Sequence, residues 1–163
     1  MSQKQMIKVG MADLNTSKEP GILTTLGLGS CVGITLYDPI EKIGGLTHAM
    51  LPDSTQIRDN KNKAKFVDTG TLQLIDQMIK IGAKQHRLVA KLAGGAQMFA
   101  FQKSNDLMRI GERNVIAAKK ILQELKIPIL AEDTGLNYGR TIELHTENGV
   151  LLVKAIGKGV KEI

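Results

Sequence analysis

The chain has 163 residues, of which 42% are hydrophobic, enough for one domain with a hydrophobic core. Its net charge of +6 favours an acidic partner, and the charge alone leaves open nucleic acid, a membrane surface or an acidic protein. Only 3% of the residues are aromatic and tryptophan is absent, which argues against a surface that stacks unpaired bases. The single cysteine cannot form an internal disulfide, and neither a signal peptide nor a membrane span is evident. We therefore expect a cytoplasmic protein that is not embedded in a membrane.

The N-terminal half alternates hydrophobic and polar residues with period two, which predicts strands. One strand is predicted over residues 6–14. Three more follow at 22–26, 31–37 and 43–51, and the glycine and Asp-Pro turns between them are short enough for antiparallel pairing. The polar, basic segment at 53–65 predicts an exposed and mobile loop, close enough to the preceding strand to act as a flap.

The C-terminal half changes between helical and strand periodicity. Hydrophobic residues at helical spacing predict helices over 65–81 and 111–126. Strands are predicted at 86–93 and after Pro128, followed by a hairpin whose turn is the pair Asn148-Gly149. No repeat, linker or low-complexity segment divides the chain, so one domain spanning residues 1–163 is expected.

The only cysteine, Cys31, directly follows a glycine-punctuated turn, and His48 lies one predicted strand later. A thiol is a strong nucleophile only as thiolate, and a neighbouring imidazolium can lower its pKa and later protonate a leaving group. Adjacent antiparallel strands could bring the two side chains together. Glycines at 27 and 29 would let backbone N–H groups near Ser30 and Cys31 point at a developing oxyanion. This pattern favours a cysteine hydrolase.

Each of these features also has a structural interpretation. A lone cytosolic cysteine is often simply buried in a core, and a histidine in a strand beside apolar residues is often a core or edge residue. The apolar cluster Met98, Phe99 and Phe101 fits either core packing or a partner-binding patch. The histidines and the cysteine lack the spacing of metal ligands, and the turn lacks a phosphate-binding motif, so we expect no metal or other cofactor.

Six motifs together resemble the CheD family of chemoreceptor glutamine deamidases, in the family's order and over nearly the whole chain. They are TLGLGSCV at 25–32, HAMLP at 48–52, FVD at 66–68, GGAQMF at 94–99, IGERN at 110–114 and AEDTG at 131–135.

The resemblance implies an enzyme, a protein-glutamine glutaminase, that hydrolyses glutamine side chains on the cytoplasmic helices of methyl-accepting chemotaxis receptors. Carried over by position, Cys31 matches the nucleophile, His48 the catalytic histidine and Thr25 the residue that orients the imidazole. The implied fold is α+β, with packed, largely antiparallel β-layers flanked by two main helices, similar to deamidases of the cytotoxic necrotising factor type. Gly29 and Ser30 are expected to supply the backbone geometry of the oxyanion site.

The family also implies a partner, a CheC-type phosphatase, and the cluster with Phe99 and Phe101 is the candidate surface for it. A non-enzymatic regulator that mainly binds this phosphatase is therefore an alternative function. A nucleic-acid binder is a third reading that the low aromatic content disfavours. One motif departs from the family: Leu136 replaces a second glycine after Gly135, and a leucine tolerates a positive φ badly, so a different turn conformation is expected.

Overall fold

In a computed structural model, residues 4–98 and 109–163 are described. This part of the chain contains two α-helices, α1 (Val67–Lys80) and α2 (Ile110–Glu124). Its ten strands are β1 (Gln5–Lys8), β2 (Leu14–Lys18), β3 (Gly21–Leu28), β4 (Val32–Asp38), β5 (Ile43–Ala49), β6 (Val89–Gly94), β7 (Ile129–Thr134), β8 (Arg140–His145), β9 (Leu151–Ala155) and β10 (Gly159–Glu162).

The strands form two five-stranded sheets. The first sheet has the order β1-β3-β8-β9-β10, and the second has the order β2-β5-β4-β6-β7. Each sheet is antiparallel except for one pair, β1 with β3 in the first sheet and β6 with β7 in the second. The predicted α+β class, with packed and largely antiparallel β-layers and two main helices, is confirmed.

The second sheet is the middle of three layers. Val32, Ile34 and Leu36 of β4 point to one face, where they pack with residues of both helices. Leu46 of β5 points to the other face, where it packs with residues of β3, β8 and β9 in the first sheet. Because both of its faces are covered, β4 is buried along its whole length. The β3–β4 connection therefore crosses from one sheet to the other.

The N-terminal segment differs from its prediction as one strand. Residues 9–13 leave the strand conformation, and Ala12 has a positive φ of 59°. The chain thus divides into β1, which pairs with β3 in the first sheet, and β2, which pairs with β5 in the second. Period-two alternation runs through both pieces, because it reports buried faces and carries no information about which sheet a strand joins.

Three other elements match their predictions with changed details. Both helices form within two residues of the predicted bounds. The hairpin of β8 and β9 also forms, but Leu144 pairs with Leu151, so its loop is longer than the Asn148-Gly149 turn alone. The segment at 53–65 is exposed over residues 55–63, yet Asp68 at the start of α1 anchors it by accepting hydrogen bonds from the N–H and hydroxyl of Ser54.

Candidate active site

The three residues of the predicted triad come from neighbouring elements of the two sheets. Thr25 lies in β3, Cys31 directly precedes β4, and His48 lies near the end of β5. All three are buried, with exposed fractions of 1% for Thr25, 8% for Cys31 and 1% for His48. Cys31 belongs to the core between the two sheets, and His48 is on the same face of β5 as Leu46, which packs in that core.

Strand register places Cys31 and His48 close together. In the β4–β5 pair, Val32 is opposite Ala49 and Gly33 is opposite His48. Because side chains alternate along a strand, Cys31 shares a face with Gly33 and lies diagonally across from His48. Such diagonal neighbours have Cα atoms about 7–8 Å apart, within reach of an aromatic side chain. This register is consistent with the expectation that adjacent antiparallel strands bring the thiol and the imidazole together, and their contact stays a prediction.

Thr25 contacts the imidazole directly across the gap between the sheets. Its Oγ1 lies 2.7 Å from His48 Nδ1 and 2.7 Å from the carbonyl oxygen of Val9. A hydroxyl has one hydrogen, and a carbonyl oxygen can only accept, so Thr25 donates to Val9. Its oxygen must then accept a hydrogen bond from His48 Nδ1–H. The contacts of this one hydroxyl therefore assign the tautomer of the neutral imidazole and leave Nε2 unprotonated.

His48 Nε2 is a buried base with a free lone pair. Within the part of the chain that the structure describes, this atom has no hydrogen-bond partner. An unpaired polar atom in a protein interior is costly, and a catalytic role is one of the reasons for which such an atom is retained. The thiol of Cys31, on the same face of the sheet, makes no hydrogen bond to Nε2 in this structure. The open lone pair of Nε2 is therefore available to a proton donor that approaches it.

Burial keeps both groups neutral. Burial raises the pKa of the Cys31 thiol, and this effect outweighs the backbone N–H of Cys31, which lowers it. Burial lowers the pKa of His48. The third member of the set is a neutral hydroxyl, and no carboxylate of residues 4–98 or 109–163 is hydrogen-bonded to the imidazole. These directions differ from the expectation that an imidazolium lowers the pKa of the thiol, and they favour a thiol beside a neutral imidazole.

The turn before Cys31 presents free backbone donors. Its carbonyl groups are engaged, since Gly95 N–H donates to the oxygen of Cys31 at 2.8 Å and Ala96 N–H donates to that of Gly29 at 2.9 Å. The N–H groups of Ser30 and Cys31 have no such partner among residues 4–98 and 109–163. Both N–H groups lie beside the thiol, that of Cys31 interacts with its own sulfur, and such groups can bind a developing oxyanion. The backbone expectation for Gly29 and Ser30 stays a prediction, and this arrangement is consistent with it.

Sequence reasoning gave no role to the residues that brace this turn. Asn114 of α2 is fully buried and donates hydrogen bonds to the carbonyl oxygens of Ser30 and Met50. Gly94 has a φ of +100°, and a Cβ on it would clash with the carbonyl oxygen of Cys31. An asparagine within the apolar stripe of a helix was the available signal for Asn114.

The predicted partner surface lies mainly outside the described residues, since both Phe99 and Phe101 fall within residues 99–108. Met98, the third member of the cluster, is 44% exposed. Its side chain lies close to Gly29, where an added Cβ would be 3.3 Å from Met98 Cγ. Met98 thus lies at the edge of the turn that carries the candidate nucleophile Cys31, and the partner-binding role of the cluster stays a prediction.

The turn after β7 adopts the positive φ that was expected to disfavour leucine, with φ values of 78° at Gly135 and 60° at Leu136. Leu136 itself adopts the left-handed backbone conformation, although leucine was expected to disfavour it. Arg140 holds this turn through a hydrogen bond to the carbonyl oxygen of Gly135 and an ion pair of 3.3 Å with Asp133. Leu136 itself is 64% exposed.

Across residues 4–98 and 109–163, no three His, Cys, Asp or Glu side chains are grouped as a metal site would require. No helix in the same ranges has the length and apolar character needed to cross a membrane.

The chain was compared with known proteins. Residues 50–155 match the model of a family described as CheD chemotactic sensory transduction. A protein of Caldanaerobacter subterraneus subsp. tengcongensis named probable chemoreceptor glutamine deamidase CheD is 62% identical over 161 residues, 99% of each chain. The chemoreceptor glutamine deamidase CheD of Halalkalibacterium halodurans is 52% identical over 97% of this chain and 98% of its own.

A solved structure supports the fold. The crystal structure of a Neisseria meningitidis protein of family DUF152 aligns with a TM-score of 0.51 at 10% identity. The alignment covers 81% of this chain and 64% of that protein, so this chain spans just under two thirds of its length. This likeness concerns the arrangement of the two sheets and the helices alone. The sequence matches over nearly the full length decide the family, and the chain belongs to the CheD family.

Proposed function

We propose that this protein is a chemoreceptor glutamine deamidase in which Cys31 is the nucleophile, His48 the proton carrier and Thr25 the residue that orients it. The activity is proposed from the names of relatives at 52–62% identity. The observation that carries the roles of the residues is the unpaired, buried Nε2 of His48, whose tautomer is set by Thr25 and Val9.

The first half-reaction forms a thioester. His48 Nε2 takes the thiol proton as the sulfur of Cys31 attacks the Cδ of a receptor glutamine. The amide oxygen becomes an oxyanion, and the backbone N–H groups of Ser30 and Cys31 donate to it. Nε2 then gives its proton to the amide nitrogen, the C–N bond breaks, and ammonia leaves. Throughout, Nδ1–H donates to Thr25, so the ring keeps its orientation while Nε2 gains and loses a proton.

The second half-reaction uses the same groups in reverse. Nε2 removes a proton from a water molecule, whose oxygen attacks the thioester carbon and forms a second oxyanion. The C–S bond breaks, and the sulfur recovers the proton that Nε2 carries. The net reaction converts the glutamine side chain and water into a glutamate side chain and ammonia. The imidazole is neutral at the start and end of each half-reaction, and the thiol is neutral at the start and end of the whole cycle, so the opposite pKa shifts of Cys31 and His48 suit this mechanism.

The direct test is to incubate the protein with a receptor cytoplasmic fragment, and to measure ammonia release and the mass of each glutamine-containing peptide. We expect Cys31→Ala and His48→Gln to lose nearly all activity. His86→Gln is the matched control for His48→Gln, because His86 is exposed and lies outside the site. Undiminished deamidation by Cys31→Ala would refute the mechanism, and absence of deamidation by the unmodified chain would refute the activity.

The CheC-type phosphatase remains a proposed partner, and the exposed position of Met98 beside Gly29 supports a surface near the nucleophile turn. A phosphatase bound to this surface would cover the turn that carries Cys31. Binding is expected to be weakened by Phe99→Glu while the deamidation rate changes less. If the affinity for the phosphatase is unchanged by Phe99→Glu, the cluster is not its binding surface.

A further inference from the structure

We infer that Asn114 is a positioning residue, which holds the segment bearing Cys31 and the segment bearing His48 at a fixed separation. The inference rests on the proposed roles of Cys31 and His48. Asn114 contacts neither side chain through a hydrogen bond. It acts on the backbone next to each of them.

The side-chain amide of Asn114 bridges the two segments. Its Nδ2 lies 2.9 Å from the carbonyl oxygen of Ser30, the residue before Cys31, and 3.0 Å from that of Met50, two residues after His48. Because both partners are carbonyl oxygens, the bridging group must be the NH₂ with its two hydrogens. The amide oxygen is buried and, among the described residues, lacks a partner. The side chain is thus held in place through its two donors.

This bridge lies where the strand ladder ends. The last pair of β4 and β5 at this end is Val32 with Ala49, so Ser30 and Met50 lie just beyond the ladder. Neither carbonyl has another hydrogen bond to a described residue. The two hydrogens of one planar amide therefore continue the connection between the segments past the point at which backbone pairing stops. A carboxylate could not do so, because it has no hydrogen to donate.

Helix α2 is itself located against the same turn by a second device. Gly111, one turn before Asn114, approaches the backbone so closely that a Cβ on it would clash with the carbonyl oxygen of Ala96. Gly95 and Ala96 in turn donate to the carbonyl oxygens of Cys31 and Gly29. The nucleophile turn is therefore held on one side by residues 95 and 96 and on the other by Asn114. Among the residues that the structure describes, only Asn114 joins it to the segment of His48 through side-chain hydrogen bonds.

Loss of the Asn114 bridge is expected to disturb the alignment of Cys31 with His48. The sulfur of Cys31 and Nε2 of His48 are diagonal neighbours with no backbone hydrogen bond between their own residues, so their separation depends on the end of the ladder. A displacement of about 1 Å in a reacting group can reduce a rate about 100-fold. Removing the bridge should therefore lower kcat by about 10- to 100-fold while leaving KM within about 3-fold, since Asn114 is fully buried and cannot touch the substrate.

The variants are Asn114→Leu, which keeps the branched shape at Cγ in a larger side chain and removes both donors, and Asn114→Ala, which leaves space for water. Thr71→Val is the matched control, because Thr71 is also fully buried on a helix and donates only to the carbonyl oxygen of Val67 within α1. We expect Thr71→Val to lower the melting temperature without lowering kcat. Both Asn114 variants should fold, as judged by circular dichroism, and should show the selective loss of kcat.

A second measurement separates positioning from general destabilisation. The chain has one cysteine, so its alkylation rate by iodoacetamide reports on Cys31 alone. His48 is expected to speed alkylation by accepting the thiol proton. If Asn114 acts by aligning the pair, Asn114→Leu should slow alkylation in the parent and have little further effect in a His48→Ala background.

Three outcomes would overturn the inference. They are equal slowing of alkylation in both backgrounds, a kcat within about 2-fold of the parent, or failure of both Asn114 variants to fold, which would make Asn114 a residue of the fold alone. A different result is expected if the proposed roles of Cys31 and His48 are wrong. In that case His48→Ala by itself would leave the alkylation rate of Cys31 unchanged. The two failures are therefore distinguished by the single variant His48→Ala.

Discussion

Thr25 and His48 belong to different sheets, and their side chains meet at 2.7 Å between Oγ1 and Nδ1. The hydrogen of the hydroxyl is used by Val9, so the hydroxyl is an acceptor toward the ring. Catalytic histidines are commonly oriented by a carboxylate, which also stabilises the imidazolium. A hydroxyl fixes the tautomer without adding charge. The site therefore fits a base that is neutral at rest and charged only during a reaction.

The first prediction concerns this hydroxyl. Thr25→Val keeps the shape and removes the acceptor of Nδ1–H, so the ring can change its tautomer and orientation. We expect kcat for deamidation to fall by up to about 100-fold, within the range by which a positioned acid–base group accelerates reactions. Thr25→Ser retains the hydroxyl and should retain most of the activity. The measurement is kcat from ammonia release.

Thr24→Val is the matched control for Thr25→Val. Thr24 is the buried neighbour in β3, and its hydroxyl donates to the carbonyl oxygen of Ile142, away from the imidazole. Stability should fall by about 1 kcal/mol for each buried hydrogen bond removed, which is one in Thr24→Val and two in Thr25→Val. Only Thr25→Val should lower kcat. Equal kcat values for the two variants would contradict the role of Thr25.

The second prediction concerns pH. Because burial raises the pKa of the Cys31 thiol and lowers that of His48, the pair should not exist as thiolate and imidazolium at neutral pH. The rate of alkylation by iodoacetamide should therefore keep rising with pH beyond the ordinary titration range of a cysteine. An alkylation rate that is already at a plateau near pH 5 to 6 would reveal a preformed ion pair and contradict this expectation.

The pKa of the His48 imidazole is lowered, whereas that of the thiol is raised, and this affects the pH dependence of activity at the acid side. A lowered pKa keeps His48 in its basic form at pH values where an ordinary histidine is protonated, so the acid limb of kcat/KM should lie below the ordinary pKa of 6.5. The lowered pKa of His48 also makes the stability of the fold depend on pH. An unfolded chain binds a proton at His48 more readily than the folded chain does, so the free energy of unfolding should decrease as pH falls below about 6.5. His48→Gln should reduce that dependence.

The third prediction concerns Gly94, whose backbone lies against the carbonyl group of Cys31. Gly94→Ala introduces a Cβ at a φ of +100° and into contact with the carbonyl oxygen of Cys31. The strained backbone alone should cost about 1–3 kcal/mol, and the contact should also displace Cys31. We expect a lower melting temperature together with a loss of kcat and of Cys31 alkylation.

Gly157→Ala separates these two effects. Gly157 has a φ of +77°, lies in the turn between β9 and β10, and has no atom within 4 Å of an added Cβ. It should therefore carry the backbone cost without the contact, and lower stability while leaving kcat unchanged. Similar kcat values for Gly94→Ala and Gly157→Ala would mean that the turn accommodates the added Cβ without moving Cys31.

The amino-acid sequence determined the local structure and the candidate pair. Helical spacing located α1 and α2, and alternation with Asn148-Gly149 located the β8–β9 hairpin, because these patterns involve residues near each other in the chain. The prediction that Cys31 and His48 lie together also followed from local information, since one short turn separates their strands. Thr25 entered only through the resemblance to a family.

Only the tertiary structure decided how the two sheets meet. Alternation states which side chains of a strand are buried, but a buried side chain can face either the helices or a second sheet. The division of residues 6–14 between sheets, the contact of Thr25 with His48 and the bridge from Asn114 all join elements that are distant in sequence. Such contacts depend on how layers pack, and no periodicity within a single strand or helix encodes them.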